Sequence, residues 1–198
     1  MTLVLASTSA SRRAMLDAAG VAHDAVAAHV DEISVKEALL AQKVAPRDIA
    51  DALAELKATK VSRLMPGALV LGGDSVVALA DGTVLDKPVD RVDAARHLRM
   101  MSGTRHELIS AAVIAFDGAP IWRHVDIARM HVRNLSDRFI ESYLDAEWPM
   151  IAGCVGCYRI EGPGVQLFAR IDGSQFTIMG MPLLQILDFL RVRGELAS

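Results

Sequence analysis

Short unbroken apolar runs alternate in this chain with stretches where apolar residues recur every three or four positions. The two patterns predict strands and helices in turn. The run at 3–6, closed by Ser7-Thr8-Ser9, predicts a buried strand that feeds a helix N-terminus. Met15, Leu16, Ala19 and Val21 then keep a helical period, with Gly20 as a stop signal. Residues 26–30 predict a second strand, and the polar stretch after Asp31-Glu32 leads into a long helical region. Within that region Ile49, Ala50, Leu53, Leu56 and Val61 hold helical spacing from Pro46 to Leu64, and Pro66-Gly67 ends it. Residues 68–71 and 76–79 predict two strands interrupted by Gly72-Gly73-Asp74-Ser75, and Asp81-Gly82 turns the second back through Thr83-Val84-Leu85. A helix is expected over 90–101, then strands over 107–116 and 119–130 joined across Asp117-Gly118. Ser136 is placed to cap a helix through Tyr143, and residues 154–171 are Gly-rich and lean towards strand. Met181-Pro182 opens a final helix over 183–192. Alternation without repeats or a linker predicts one domain over 1–198, of α/β or mixed α+β class.

Composition narrows the class of protein. The chain is 52% hydrophobic, 23% charged and 5% aromatic, which suits a globular core. A net charge of −3, from 21 Lys+Arg against 24 Asp+Glu, argues against a partner that is a nucleic acid polymer. No apolar run reaches the roughly 18 residues of a membrane span. The N-terminal arginines follow the apolar stretch, the reverse of a secretory signal, so a cytoplasmic location is expected. Cys154 and Cys157 form one C-x-x-C pair without the second pair of a structural zinc site, and packing cysteines are expected. The six histidines show no ligand spacing and are assigned to surface or packing.

Three segments carry candidate chemistry. Ser7-Thr8-Ser9-Ala10-Ser11-Arg12-Arg13 follows the first strand, where backbone N–H groups, hydroxyls and two guanidinium forks suit a phosphate. A serine N-cap beside a solvated Arg pair fits the same string. In Gly72-Gly73-Asp74-Ser75 the glycines let backbone approach a ligand and set a carboxylate at the end of an apolar strand. Such an acid needs a metal, a cation or a water, unless it is a turn aspartate bonding its own backbone. Lys87, after the neighbouring hairpin strand, is either a cation brought to Asp74 or a plain surface lysine. Asp31 and Glu32 supply further carboxylates, and with Asp74 they form an oxygen set of the kind Mg²⁺ or Mn²⁺ takes.

Taken in order, LASTSASRRAML at 5–16, Asp31-Glu32, LAELKATK at 53–60, LGGDSVV at 71–77, Asp81-Gly82 through Lys87-Pro88 and Ser102-Gly103-x-x-His106 form a recognisable set. Ala152-Gly153, Glu161-Gly162-x-Gly164, Ile171-x-Gly173 and Gly180-Met181-Pro182-Leu183 complete it. With these the chain resembles the Maf (septum-formation-like) nucleoside triphosphate pyrophosphatases over nearly its whole length. The resemblance implies an elongated α/β fold, akin to inosine triphosphatases, with a mixed sheet flanked by helices and two lobes about a central cleft. It implies hydrolysis of a nucleoside triphosphate to monophosphate and pyrophosphate with a divalent metal, Mg²⁺ or Mn²⁺, by a homodimer. By the same resemblance Asp74 is the general base or metal-linked acid, Ser7, Arg12 and Arg13 hold the triphosphate, and Glu32, Lys57 and Lys87 complete the metal and phosphate environment.

Substrate choice divides between two branches. Glu161 stands where the branch acting on dTTP and UTP has glutamine, and its segment looks more like the 7-methyl-GTP branch, where a carboxylate accepts from guanine. Ser11 replaces the Trp or Arg of the two branches, and Ser75 replaces their Gln or Thr. A non-catalytic nucleotide-binding regulator of cell division is the alternative on the same scaffold, and a phosphotransferase using the Ser/Arg turn is a third. Neither a P-loop nor an acceptor site accompanies that turn.

Overall fold

The computed structural model describes residues 3–197. In chain order the elements are β1 (Leu3–Leu5), α1 (Ala10–Ala18), β2 (His23–Ala25), α2 (Glu32–Ala41), α3 (Pro46–Leu64), β3 (Leu69–Leu79), β4 (Val84–Leu85) and α4 (Arg91–Met101). There follow β5 (Arg105–Phe116), β6 (Ala119–Val132), α5 (Asp137–Glu147), a 3₁₀ turn (Pro163–Leu167), β7 (Phe168–Asp172), α6 (Gln175–Ile178) and α7 (Leu183–Val192). One 7-stranded mixed sheet runs β2-β1-β3-β5-β6-β7, with β4 added to β3. β1 is parallel to β2 and β3, and the other pairings are antiparallel. Among the described residues no helix is long and apolar enough to cross a membrane.

Several predicted elements shift. β2 lies at His23–Ala25, ahead of the apolar run at 26–30, because its pairing with Leu3–Leu5 sets the register. The predicted break at 72–75 does not occur: β3 is continuous, since an unbroken ladder with β5 from Leu69↔Phe116 to Leu79↔His106 outweighs the poor strand propensity of two glycines. Of the strand-leaning stretch 154–171, only Phe168–Asp172 is extended; turns and the 3₁₀ segment occupy the rest. The long helical stretch after Asp31 is two helices, α2 and α3.

Strand alternation sorts β3 cleanly. On one face Val76 and Ala78 pack with Ile49, Ala50, Leu53, Ala54 and Ala58 of α3. On the other, Leu69 and Leu71 join a cluster with Met15, Leu16 and α7, while Val77 joins a separate cluster with α4 and α5. Gly73 and Ser75 occupy the interval between those two clusters. A second discontinuity lies along the strand's edge. β1 covers β3 only through Leu71, and β4 pairs it again only from Val77. The edge of β3 at 72–76 is therefore left open, with its backbone groups unpaired on that side.

His106 ends the β3–β5 ladder, is 1% exposed, and meets Tyr158 Oη through Nε2 at 2.9 Å. Among the described residues its Nδ1 has no partner. Burial pushes the imidazole pKa down to about 4. The folded state thus keeps His106 neutral while the unfolded chain protonates it near 6.5, so this contribution is complete above pH 6.5 and is lost as pH falls towards 4. The loss approaches about 3 kcal/mol at the acid end. Unfolding titrations from pH 7 to 4.5 are expected to show a proton-uptake slope that His106→Gln reduces, the buried His97 supplying part of the remainder; an unchanged slope in the variant would assign the acid sensitivity elsewhere.

Candidate active site

The open edge of β3 is where charged side chains gather. α3 places Lys57 on its buried stripe, one turn from Leu53 and Ala54, and the side chain runs to Asp74 on the same face of β3. Lys57 Nζ lies 2.5 Å from Asp74 Oδ1 and 3.0 Å from Glu32 Oε1. Lys57 is 6% exposed and Asp74 7%, so the pair is screened little by solvent. Glu32 begins α2 and is the more open partner. A lysine on an apolar helix face held between two carboxylates explains how Lys57 and Asp74 tolerate this burial.

Arg12 reaches the same place from the other face of the sheet. Its guanidinium donates from Nε to the Gly180 carbonyl at 2.8 Å, from Nη1 to Ser7 Oγ at 3.3 Å and from Nη2 to Ser75 Oγ at 3.1 Å. Burial lowers its pKa, opposed by the fields of Asp74 and Glu32, so Arg12 and the acidic cluster sense each other. Three of the five guanidinium N–H groups are committed to protein acceptors, which leaves two for a ligand. Ser9 caps α1 by accepting from the Arg12 N–H and contacts Ser11 Oγ at 2.9 Å; its own N–H donates to Ser7 Oγ at 3.2 Å. The serine-cap and phosphate readings of this turn are therefore compatible, because the cap is Ser9 while Ser7 and Arg12 bond to each other beside Ser75.

Not every sequence candidate joins this cluster. Arg13 is exposed, and among the described residues its side chain makes no hydrogen bond or ion pair. Asp31 is a helix cap: it accepts from the Ser34 N–H at 3.0 Å and the Ser34 hydroxyl at 2.8 Å, and these bonds lower its pKa. It does not join Glu32 and Asp74 in an oxygen set, because its carboxylate is spent on α2. Lys87 is exposed and makes no ion pair with Asp74, whose cation is Lys57; the Lys87 charge is felt instead at Cys154. Glu161 is also exposed and acts on Cys154 and Arg159, whose guanidinium grips the buried Glu147 at 3.0 and 3.1 Å. Cys157 is fully buried, its thiol pushed up to about 12 by burial, which fits packing and not nucleophilic chemistry.

Gly72 and Gly73 also change meaning. A Cβ on Gly72 would lie 2.3 Å from the Ala54 carbonyl oxygen, and one on Gly73 would lie 3.3 Å from Arg12 Nε. The first glycine admits the α3 backbone and the second admits Arg12.

Residues 2–193 match the family described as Maf-like protein. The chain belongs to the Maf-like family. It is 54% identical over 194 residues to the nucleoside triphosphate pyrophosphatase of Sphingopyxis alaskensis, spanning 98% of each chain. A nucleoside triphosphate pyrophosphatase of Roseobacter denitrificans is 50% identical over 194 residues, which is 98% of this chain and 97% of that one. One from Hyphomonas neptunium is 50% identical over 198 residues, with 100% and 99% covered.

One residue that the sequence did not single out ties α2 to the end of β4. Lys36, one turn after Glu32 on α2, donates to the Leu85 carbonyl at 3.1 Å and pairs with Asp86. α2 has no fully buried residue, so polar ties at Glu32 and Lys36 carry much of its attachment. Its signal was a lysine at i+4 from an acid on a weakly apolar helix. Lys36→Met is expected to speed hydrogen exchange across α2 several-fold while leaving the melting temperature within a few degrees; unchanged exchange would mean that the apolar contacts of Val35 and Leu39 suffice.

Proposed function

We propose that this chain is a nucleoside triphosphate pyrophosphatase, cleaving the bond between the α- and β-phosphates to release a monophosphate and pyrophosphate. The observation that carries the reading is the Glu32–Lys57–Asp74 cluster set beside Arg12 at the open edge of β3. An acid buried at a ligand-accessible strand edge, with its Oδ1 held by Lys57, presents its other oxygen as an acceptor for water. The water oxygen attacks the α-phosphorus, its proton passes to Asp74, and the bridging P–O bond breaks with its electron pair leaving on pyrophosphate. Arg12 and the Ser7 hydroxyl meet the charge that builds on the phosphates, and the exposed Arg13 and Lys87 add their charge from outside the cluster.

A divalent cation, Mg²⁺ or Mn²⁺, fits the donors present. Among the described residues no three His, Cys, Asp or Glu groups gather as a cage. Two carboxylates plus substrate phosphates is the sparse, hard-oxygen set that Mg²⁺ accepts, and Asp74 and Glu32 would hold it. When bound, the ion offsets phosphate charge and makes water more acidic.

For the substrate we propose a base read at Glu161, with 7-methyl-GTP favoured over dTTP or UTP, since a carboxylate accepts from guanine N1–H and the exocyclic amine. Ser11 and Ser75 line the approach. A cytoplasmic homodimer completes the reading. The test is a panel of canonical, methylated and deaminated nucleotides with Mg²⁺ or Mn²⁺, products resolved by chromatography. Monophosphate plus pyrophosphate from at least one nucleotide supports it. Diphosphate plus phosphate overturns cleavage at the α–β bond, and tight binding without turnover overturns the activity and favours the regulator.

A further inference from the structure

A row of polar residues crosses three neighbouring strands inside an otherwise apolar face. Ser75 of β3 pairs in register with Ser110 of β5, and Ser110 with Asp126 of β6. Ser110 is fully buried. Its hydroxyl donates to the Thr177 carbonyl at 2.7 Å and lies 2.9 Å from Ser75 Oγ. Thr177 in turn donates its own hydroxyl to Asp126, which docks α6 over the row.

The protons in this row have one consistent arrangement. A hydroxyl has a single proton. Ser110 spends its proton on Thr177, so in the Ser75–Ser110 contact Ser75 must donate. The Ser75 lone pairs then face Arg12 Nη2, which can only donate, at 3.1 Å. If Ser75 instead turned its proton to the Gly180 carbonyl, 3.4 Å away, it would share the acceptor that Arg12 Nε uses at 2.8 Å.

We propose that Ser110 is a positioning residue for phosphate binding: by directing the Ser75 proton away from Arg12, it fixes the guanidinium with its two uncommitted N–H groups towards the cleft. This deepens the reading of Arg12 as a phosphate ligand and rests on it. Ser110 touches no ligand itself. It acts through Ser75, while Thr177 and Asp126 hold the α6 turn that supplies both the acceptor for Ser110 and, three residues on, the Gly180 carbonyl for Arg12.

A double-mutant cycle tests the role, read by calorimetric binding of inorganic pyrophosphate with Mg²⁺ and by steady-state hydrolysis. Ser110→Ala is expected to weaken pyrophosphate binding about tenfold, the size of one hydrogen bond to a charged group. Ser110→Thr, which keeps the hydroxyl, restores most of it. In an Arg12→Lys background, Ser110→Ala costs nothing further, because the group it positions is gone. An equal loss in both backgrounds, with a matching fall in melting temperature, would reduce Ser110 to a packing residue and overturn the proposal. So would a wild type that does not bind pyrophosphate. Ser110→Cys, of similar volume with a weak donor, runs the same cycle if the alanine variant does not fold. A wild type that binds pyrophosphate and shows the coupling yet converts no nucleotide refutes the proposed activity and leaves the positioning role standing. Turnover with additive losses does the reverse.

Discussion

Asp74→Asn is expected to lower the rate of nucleoside triphosphate hydrolysis by roughly a thousandfold, within the range for loss of a general base. The amide keeps the shape of the carboxylate, and its carbonyl oxygen still accepts from Lys57 Nζ, now 2.5 Å from Oδ1. Lys57 keeps Glu32 at 3.0 Å as a counter-charge, so the buried lysine is not orphaned. Arg12 keeps its contacts to Ser7, Ser75 and Gly180, so at saturating metal the loss falls mainly on kcat. Lys57→Met should behave differently. It leaves two carboxylates facing each other without their shared cation, and breaking a buried pair in this way costs about 3–5 kcal/mol. Steady-state kinetics with thermal unfolding of both variants separates the roles: Asn is inactive and folded, Met is inactive and destabilised. An Asp74→Asn enzyme turning over at the wild-type rate would remove Asp74 from the chemistry.

The sequence carried different parts of this site with different clarity, for physical reasons. Lys57 and Ser110 are both polar residues inside apolar stripes, one at helical spacing between Leu53 and Val61 and one mid-way along an apolar strand. Each is a local anomaly that burial must answer with a partner. Lys57 drew notice because a motif surrounded it; Ser110 did not, because a single hydroxyl in a strand is cheap to satisfy and only register reveals Ser75 as its neighbour. Asp31-Glu32 read as a pair because adjacent letters suggest adjacent roles. At a helix N-terminus they diverge, one residue capping the backbone and the next turning to Lys57. Lys87 failed to reach Asp74 for a related reason. Strand adjacency constrains Val84 and Leu85, but the chain leaves the sheet before Lys87, and the hairpin geometry no longer directs its side chain. The helices α3, α4 and α7 and the β5–β6 hairpin were legible throughout, since long periodic segments set their own type.

Gly72→Ala and Gly73→Ala, adjacent and chemically identical changes, are expected to fail in different ways. At Gly72 the new Cβ would sit 2.3 Å from the Ala54 carbonyl oxygen, 2.7 Å from the Ala58 backbone nitrogen and 2.9 Å from its Cβ. The first two are backbone atoms of a helix whose stripe from Ile49 to Val61 is buried, so α3 must move as a body. Overpacking of this kind costs about 3 kcal/mol, the upper end of its usual range. It also lifts Lys57 away from Asp74, since the lysine rides on the displaced helix. At Gly73 the contacts are 3.3 Å to Arg12 Nε and 3.4 Å to the Ala111 carbonyl oxygen. A side chain yields more readily than a helix, so Arg12 shifts and the protein stays folded. Denaturant unfolding should therefore show a large drop in midpoint for Gly72→Ala and a small one for Gly73→Ala. Pyrophosphate binding should weaken in the Gly73 variant at full occupancy of the folded state. Equal midpoints for the two would mean that α3 can slide on β3, and the close approach at Gly72 would then lose its role in fixing where Lys57 meets Asp74.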